Sequence, residues 1–186
     1  METSRFNKEF YDSIKAKPTL YRGVEYKSML EAKWAAFFDI LDWDHKYEPC
    51  VFPGWKPDFV IKGAKNVYVE VKPTEEFDGE VAAKMEGACR NSELLLVGCS
   101  PFREDFGIPC LGWMNQFEQD GWSDRFALAT MGRWSKGNGK IGFCHQWATY
   151  SDRISGGYDG GHYGDLRLEW KEIEELWTQA EVAINE

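Results

Sequence analysis

Between residues 56 and 73 the chain reads KPDFVIKGAKNVYVEVKP, and this stretch restricts the fold more than any other. Two apolar runs of strand length, KPDFVIK and VYVEVK, flank the turn residues GAKN, so a β-hairpin is the expected product. Pro73 ends the second strand because it has no N–H to give to a ladder. Alternation then sends Val67, Val69 and Val71 to one face and Tyr68, Glu70 and Lys72 to the other. A carboxylate and an ammonium thus share one face of an otherwise apolar strand. In water such a pair is worth only ~0 to 1 kcal/mol, so its meaning depends on which other charges lie near it.

Elements of both kinds surround the hairpin. In SMLEAKWAAFFDILDWD, Leu30, Trp34, Phe37, Phe38 and Leu41 form the apolar stripe of an amphipathic helix, with Ser28 as its N-cap. KYEPCVF, residues 46–52, reads as a strand ahead of the hairpin. From Phe77 the spacing is helical again, with Phe77, Val81, Met85 and Ala88 on one side and Asn91 at the end, and LLLVGC follows as a buried strand. The order is αβββαβ. Beyond residue 100, CLGW, RFALATM and IGFCH are further strand candidates, and residues 171–184 form a last helix with Ile173, Leu176, Trp177, Ala180 and Ile184 inward. Neither an internal repeat nor a dividing linker interrupts the chain. The expectation is an α/β fold over residues 1–186, a mixed sheet flanked by helices, with a core at about 20–100 and a C-terminal extension of strands, loops and a helix at 101–186.

Composition removes several classes. The 186 residues are 43% hydrophobic and 16% aromatic, too apolar for a disordered segment and of a size that suits one domain. Apolar runs fall short of the ~18 residues that span a bilayer, and METSRFNKEFYDS lacks the basic-then-apolar order of a secretory signal. A cytoplasmic protein without a membrane partner is therefore expected. Five scattered cysteines without a C-x-x-C pair suggest reduced thiols rather than disulfides or a zinc site. His45, His145 and His162 lack the spacing of a metal site and read as structural or surface residues. A net charge of −9 argues against bulk attraction to nucleic acid, yet residues 121–142 carry Arg125, Arg133, Lys136 and Lys140 against Asp124 alone.

Asp58, Glu70 and Lys72 are the residue types that metal-assisted phosphodiester cleavage requires: hard oxygen ligands for Mg²⁺ and a cation beside the attacking water. Whether Asp58 joins the other two depends on register. A four-residue loop sets Asp58 against Val71 and turns it to the wrong face; one residue fewer or more, or a bulge near Pro57, returns it to the face of Glu70. The shifted register is the expectation. Glu31 is a fourth candidate, at the edge of the helical stripe, although SMLE also spells a capping box in which Ser28 and Glu31 serve each other.

The αβββαβ order, with Glu31 in the first helix, Pro57-Asp58, and Glu70-Val71-Lys72, resembles the PD-(D/E)XK nuclease superfamily. The opening YRGVEYKSMLEAKWAAFFDIL is similar to single-domain members encoded by bacteriophages and prophages. The resemblance implies that Asp58, Glu70 and the Val71 carbonyl bind Mg²⁺, with Mn²⁺ as a substitute. It implies that Lys72 orients or helps deprotonate the water and that Glu31 is an auxiliary ligand. The function expected is a metal-dependent nuclease, an endonuclease or exonuclease acting on DNA in the first place.

Further readings stand beside it. Arg133, Trp134, Lys136 and Lys140 could meet a nucleic-acid strand, three through phosphates and Trp134 by stacking, or could belong to a solvated hairpin with a core tryptophan. SGGYDGGHYGD is either a substrate loop or a turn-rich connector. The alternative function is a catalytically silent nuclease-fold module that binds nucleic acid or a host protein, as in a phage protein that interferes with a host system. An assembly role is a third. Partners to expect are nucleic acid and, beyond it, a second copy of the chain or a host or phage protein.

Overall fold

Strands β1 (Thr19–Tyr21) and β2 (Val24–Tyr26) pair as a two-stranded hairpin. Its turn residues Arg22 and Gly23 have φ of 48° and 79°, the left-handed pair that matches strand twist in a two-residue loop. The computed structural model describes residues 17–115, 126–146, 151–158 and 168–186. Helix α1 (Met29–Ile40) follows, capped by Ser28, and then β3 (Asp44–Tyr47), β4 (Phe59–Lys62) and β5 (Asn66–Val71). Helix α2 (Gly79–Ala88) leads into β6 (Glu93–Val97). The remainder supplies β7 (Phe102–Arg103), β8 (Pro109–Met114), β9 (Ala127–Arg133), β10 (Ile141–His145) and helix α3 (Trp170–Ala183).

The fold is α/β, as expected: an eight-stranded mixed sheet ordered β10-β9-β8-β6-β5-β4-β3, with β7 paired to β8, flanked by three helices. Among the described strands only β5 and β6 run parallel, the two ends of the crossover through α2. The chain cannot reverse direction between parallel neighbours without such a connection. All five residues of β6 are buried, which explains why ELLLV is continuous rather than alternating.

Both sheet faces are covered. On one, α1 and α3 enclose Phe59, Ile61, Val67, Val69, Val71, Leu95 and Val97, with Trp34, Phe37 and Phe38 fully buried beneath Trp177. On the other, Met85 of α2 packs with Leu94, Leu96, Cys89 and Trp55. Gly112 in β8 lets the sheet close, since a Cβ there would stand 2.2 Å from the Leu96 carbonyl oxygen. Among the described residues no helix is long and apolar enough to cross a membrane.

Two expectations need correction. The strand placed at 46–52 is β3, residues 44–47, and it stops because Glu48 turns to φ 43° ahead of Pro49. The second helix begins at Gly79, not Phe77, because the Asp78 side chain accepts the N–H groups of Glu80 and Val81. Phe77 instead packs on Trp113 and Phe126. The GAKN turn, by contrast, follows the expected shifted register: it has three loop residues, 63–65, with Lys62 facing Asn66. The cysteines are free, with Cys89, Cys110 and Cys144 buried. His145 is buried in β10, whereas His162 and much of SGGYDGGHYGD lie outside the described residues.

Candidate active site

The hairpin register decides the geometry. Phe59 faces Val69, so one step back puts Asp58 beside Glu70, on the shifted register. The Asp58 N–H donates to the Val69 carbonyl at 2.9 Å. Its Oδ2 accepts the Val71 N–H at 2.8 Å, replacing the backbone acceptor that β4, starting at Phe59, no longer supplies. Burial above all, and then the neighbouring Glu70 charge, push the Asp58 carboxyl up to about 7. The Val71 N–H opposes the rise, Glu31 adds to it, and Lys72 lowers it.

Glu70 is only 6% exposed, and each of its oxygens has a donor. Trp55 Nε1 donates to Oε2 at 2.7 Å, and Lys72 Nζ donates to Oε1 at 2.5 Å. Lys72 leaves the strand edge here, its own N–H bonded to the Val97 carbonyl at 2.9 Å. These groups therefore sit at the C-terminal ends of the two parallel strands, where open α/β sheets leave a crevice.

Glu31 makes half of the capping arrangement and something more. Its N–H donates to Ser28 Oγ at 3.1 Å, and the Ser28 hydroxyl donates back to Oε1 at 3.1 Å. Its other oxygen accepts the Tyr47 hydroxyl at 2.5 Å. Burial and then Glu31 raise the Tyr47 phenol well above its usual value, so it remains a donor and fixes the carboxylate. Because the Asp58 carboxyl responds to both Glu70 and Glu31, the three acids share one electrostatic environment, in which Lys72 and Lys27 both take part.

Oxygen-only donors with an excess of negative charge suit a hard divalent cation better than a soft one. Among the described residues no group of three or more His, Cys, Asp or Glu side chains is disposed to hold an ion by itself. A cation here would thus draw on Asp58 and Glu70 with the Val71 carbonyl and solvent.

Sequence reasoning overlooked the loop at residues 48–58. Its ends are tied by the Glu48 N–H to the Asp58 carbonyl at 2.7 Å, and within it Phe52 and Trp55 exchange backbone bonds of 2.8 and 3.1 Å around Pro53 and Gly54 (φ 78°). FPGW is the type II turn signature, proline followed by glycine, and it was the available signal. The turn stacks Phe52 on Trp55 and aims the indole N–H at Glu70. Lys56 and Lys27 both pair with Glu48 at the rim, Lys56 at 2.6 Å.

The proposed strand-contact residues are not brought to this place. Arg133 pairs with Glu172 of α3 and donates to the Gly139 carbonyl at 2.5 Å; Lys140 pairs with Asp42 just beyond α1. The end of α1 at Ile40, two residues before Asp42, lies nine residues past Glu31, or about 14 Å of helical rise. Lys136 Nζ reaches the Gly156 carbonyl at 3.5 Å. Trp134 is 1% exposed and packs with Cys144, which corrects the stacking role: its ring offers no open face to a base. Comparison with protein-family models, curated proteins and solved structures returns no match to this chain.

Proposed function

We propose that the protein is a Mg²⁺-dependent nuclease of the PD-(D/E)XK kind, hydrolysing phosphodiester bonds, in the first place in DNA. The observation that carries this reading is the three-residue hairpin loop, which sets Asp58 opposite Glu70 and leaves Lys72 on the same carboxylate. Asp58, Glu70 and the Val71 carbonyl would hold the ion, which when bound acidifies a water and draws charge from the phosphate. Trp55 keeps Glu70 oriented through Oε2. Lys72, now on Oε1, supplies the ammonium that orients the attacking water and offsets charge on the phosphate. Tyr47 fixes Glu31 at the edge of the cluster.

The test is cleavage of labelled single-stranded, duplex, flapped and four-way DNA with Mg²⁺ or Mn²⁺. Activity lost in both Asp58→Ala and Lys72→Ala supports the reading. Retained binding with no cleavage in either metal supports the silent module instead. Cleavage that survives Asp58→Ala refutes the assignment of the site.

A further inference from the structure

Glu48, at which β3 gives way to the loop at 48–58, has a left-handed backbone. Its φ is 43°, in a region that non-glycine residues seldom adopt, and its N–H donates to the Asp58 carbonyl at 2.7 Å. That conformation directs the Glu48 carboxylate between two ammonium groups from separate elements. Lys27 precedes the Ser28 cap of α1, and Lys56 lies two residues before Asp58. The bond to Glu48 holds the Lys27 ammonium above its ordinary range, with smaller contributions from Glu31 and Asp58. Glu48 is correspondingly held below the usual carboxylate range, by Lys27 first and Lys56 second. The lysine side chains are 63% and 41% exposed and Glu48 is 25% exposed, so both lysines are open to an anion from solvent, while Glu48 Oε1, on the Lys27 side, is buried.

We propose that Lys27 and Lys56 receive a backbone phosphate of the nucleic-acid strand next to the scissile one, and that Glu48 stands in for that phosphate when no substrate is bound. This rests on the nuclease reading. A phosphodiester presents two unesterified oxygens, matching two ammonium donors that already converge on one carboxylate. The overall charge of −9 gives no general attraction, so affinity has to come from local cations such as these. Glu48 also serves as a discriminator, because any incoming group must compete with a carboxylate already paired twice.

The measurement is fluorescence anisotropy of labelled single-stranded and duplex oligonucleotides on the full chain, in EDTA and over a range of salt. Lys27→Ala/Lys56→Ala is expected to bind roughly tenfold more weakly at moderate salt, with a plot of log affinity against log salt shallower by about 0.7 to 0.9. Glu48→Gln, with the competitor's charge removed, is expected to bind several-fold more tightly than the wild type. An unchanged affinity and slope in the lysine variant overturns the proposal. So does Glu48→Gln if it weakens binding as the lysine variant does, because Glu48 would then only brace the lysines. Binding without metal is read apart from cleavage. A wild type that shows these shifts yet cuts nothing keeps the phosphate site and removes the nuclease reading; a wild type that cuts while the lysine variant binds equally well does the reverse.

Discussion

Replacing Asp58 by asparagine should remove a fall in stability that the wild type shows between about pH 4 and pH 7. The carboxyl titrates at about 7 in the fold against 3.8 when free. Below pH 4 it is protonated in both folded and unfolded chains and contributes no difference. Between the two values the unfolded chain loses its proton while the folded chain keeps it, so stability falls as pH rises. Above about pH 7 both forms are ionised and the whole penalty is present. A shift of three pH units corresponds to roughly 4 kcal/mol at 1.36 kcal/mol per unit. Asparagine retains an oxygen for the Val71 N–H and has no charge to bury. In urea titrations with EDTA, Asp58→Asn should therefore gain on the wild type steadily from pH 4 to pH 8 and end up several kcal/mol more stable. Adding Mg²⁺ at pH 8 should stabilise the wild type and leave the variant unmoved, since a ligand that prefers the native state adds its binding energy to folding. A stability difference that stays constant over pH 4 to 8 would refute the placement of a protonated, buried Asp58 beside Glu70.

Trp55→Phe keeps a ring in the turn and removes the indole donor on Glu70 Oε2, so a loss of about 1 to 3 kcal/mol is expected by urea titration, together with a higher Mg²⁺ requirement in the cleavage assay. Arg153 Nε donates to Glu93 Oε2 at 2.5 Å with both side chains buried, so Arg153→Ala, which leaves Glu93 without that partner, should cost about 3 to 5 kcal/mol and lower the melting temperature by roughly 10 °C. Lys65→Ala, removing the outer partner of the same carboxylate at 3.0 Å, should cost less than about 1 kcal/mol in the same scan.

Periodicity alone revealed most of the architecture. The stripe from Leu30 to Leu41, the unbroken apolar run of β6 and the Val67-Val69-Val71 alternation are strong enough to survive packing, so αβββαβ was readable. The β1–β2 hairpin was not, because three-residue strands with Leu20 and Val24 exposed carry no burial pattern. The loop at 48–58 escaped for another reason: what ties its turn to Glu70 is a side-chain hydrogen bond from Trp55, and such bonds leave no periodic trace. The hairpin register is the most instructive case. Glycine, alanine and lysine at 63–65 are compatible with several loop lengths, and the selection comes from far along the chain. The Ala64 N–H donates to the Ile154 carbonyl at 2.9 Å, and Gly63 lies so close to Arg153 that a Cβ would stand 2.2 Å from its carbonyl oxygen. Local pattern could name Asp58, Glu70 and Lys72 as partners; the segment that aligns them lies some ninety residues further on.

That long-range grip ties together two portions of the polypeptide that are made at different moments. A growing chain that has emerged only as far as Cys99 already contains every acidic and basic group of the cluster, yet it lacks the backbone that clasps the hairpin's tip. The nascent protein should acquire its alignment late, after the Arg153-Ile154 peptide has left the ribosome. An N-terminal fragment cut at that point would be an instructive reagent, complete in its ingredients and missing only the hand that sets them.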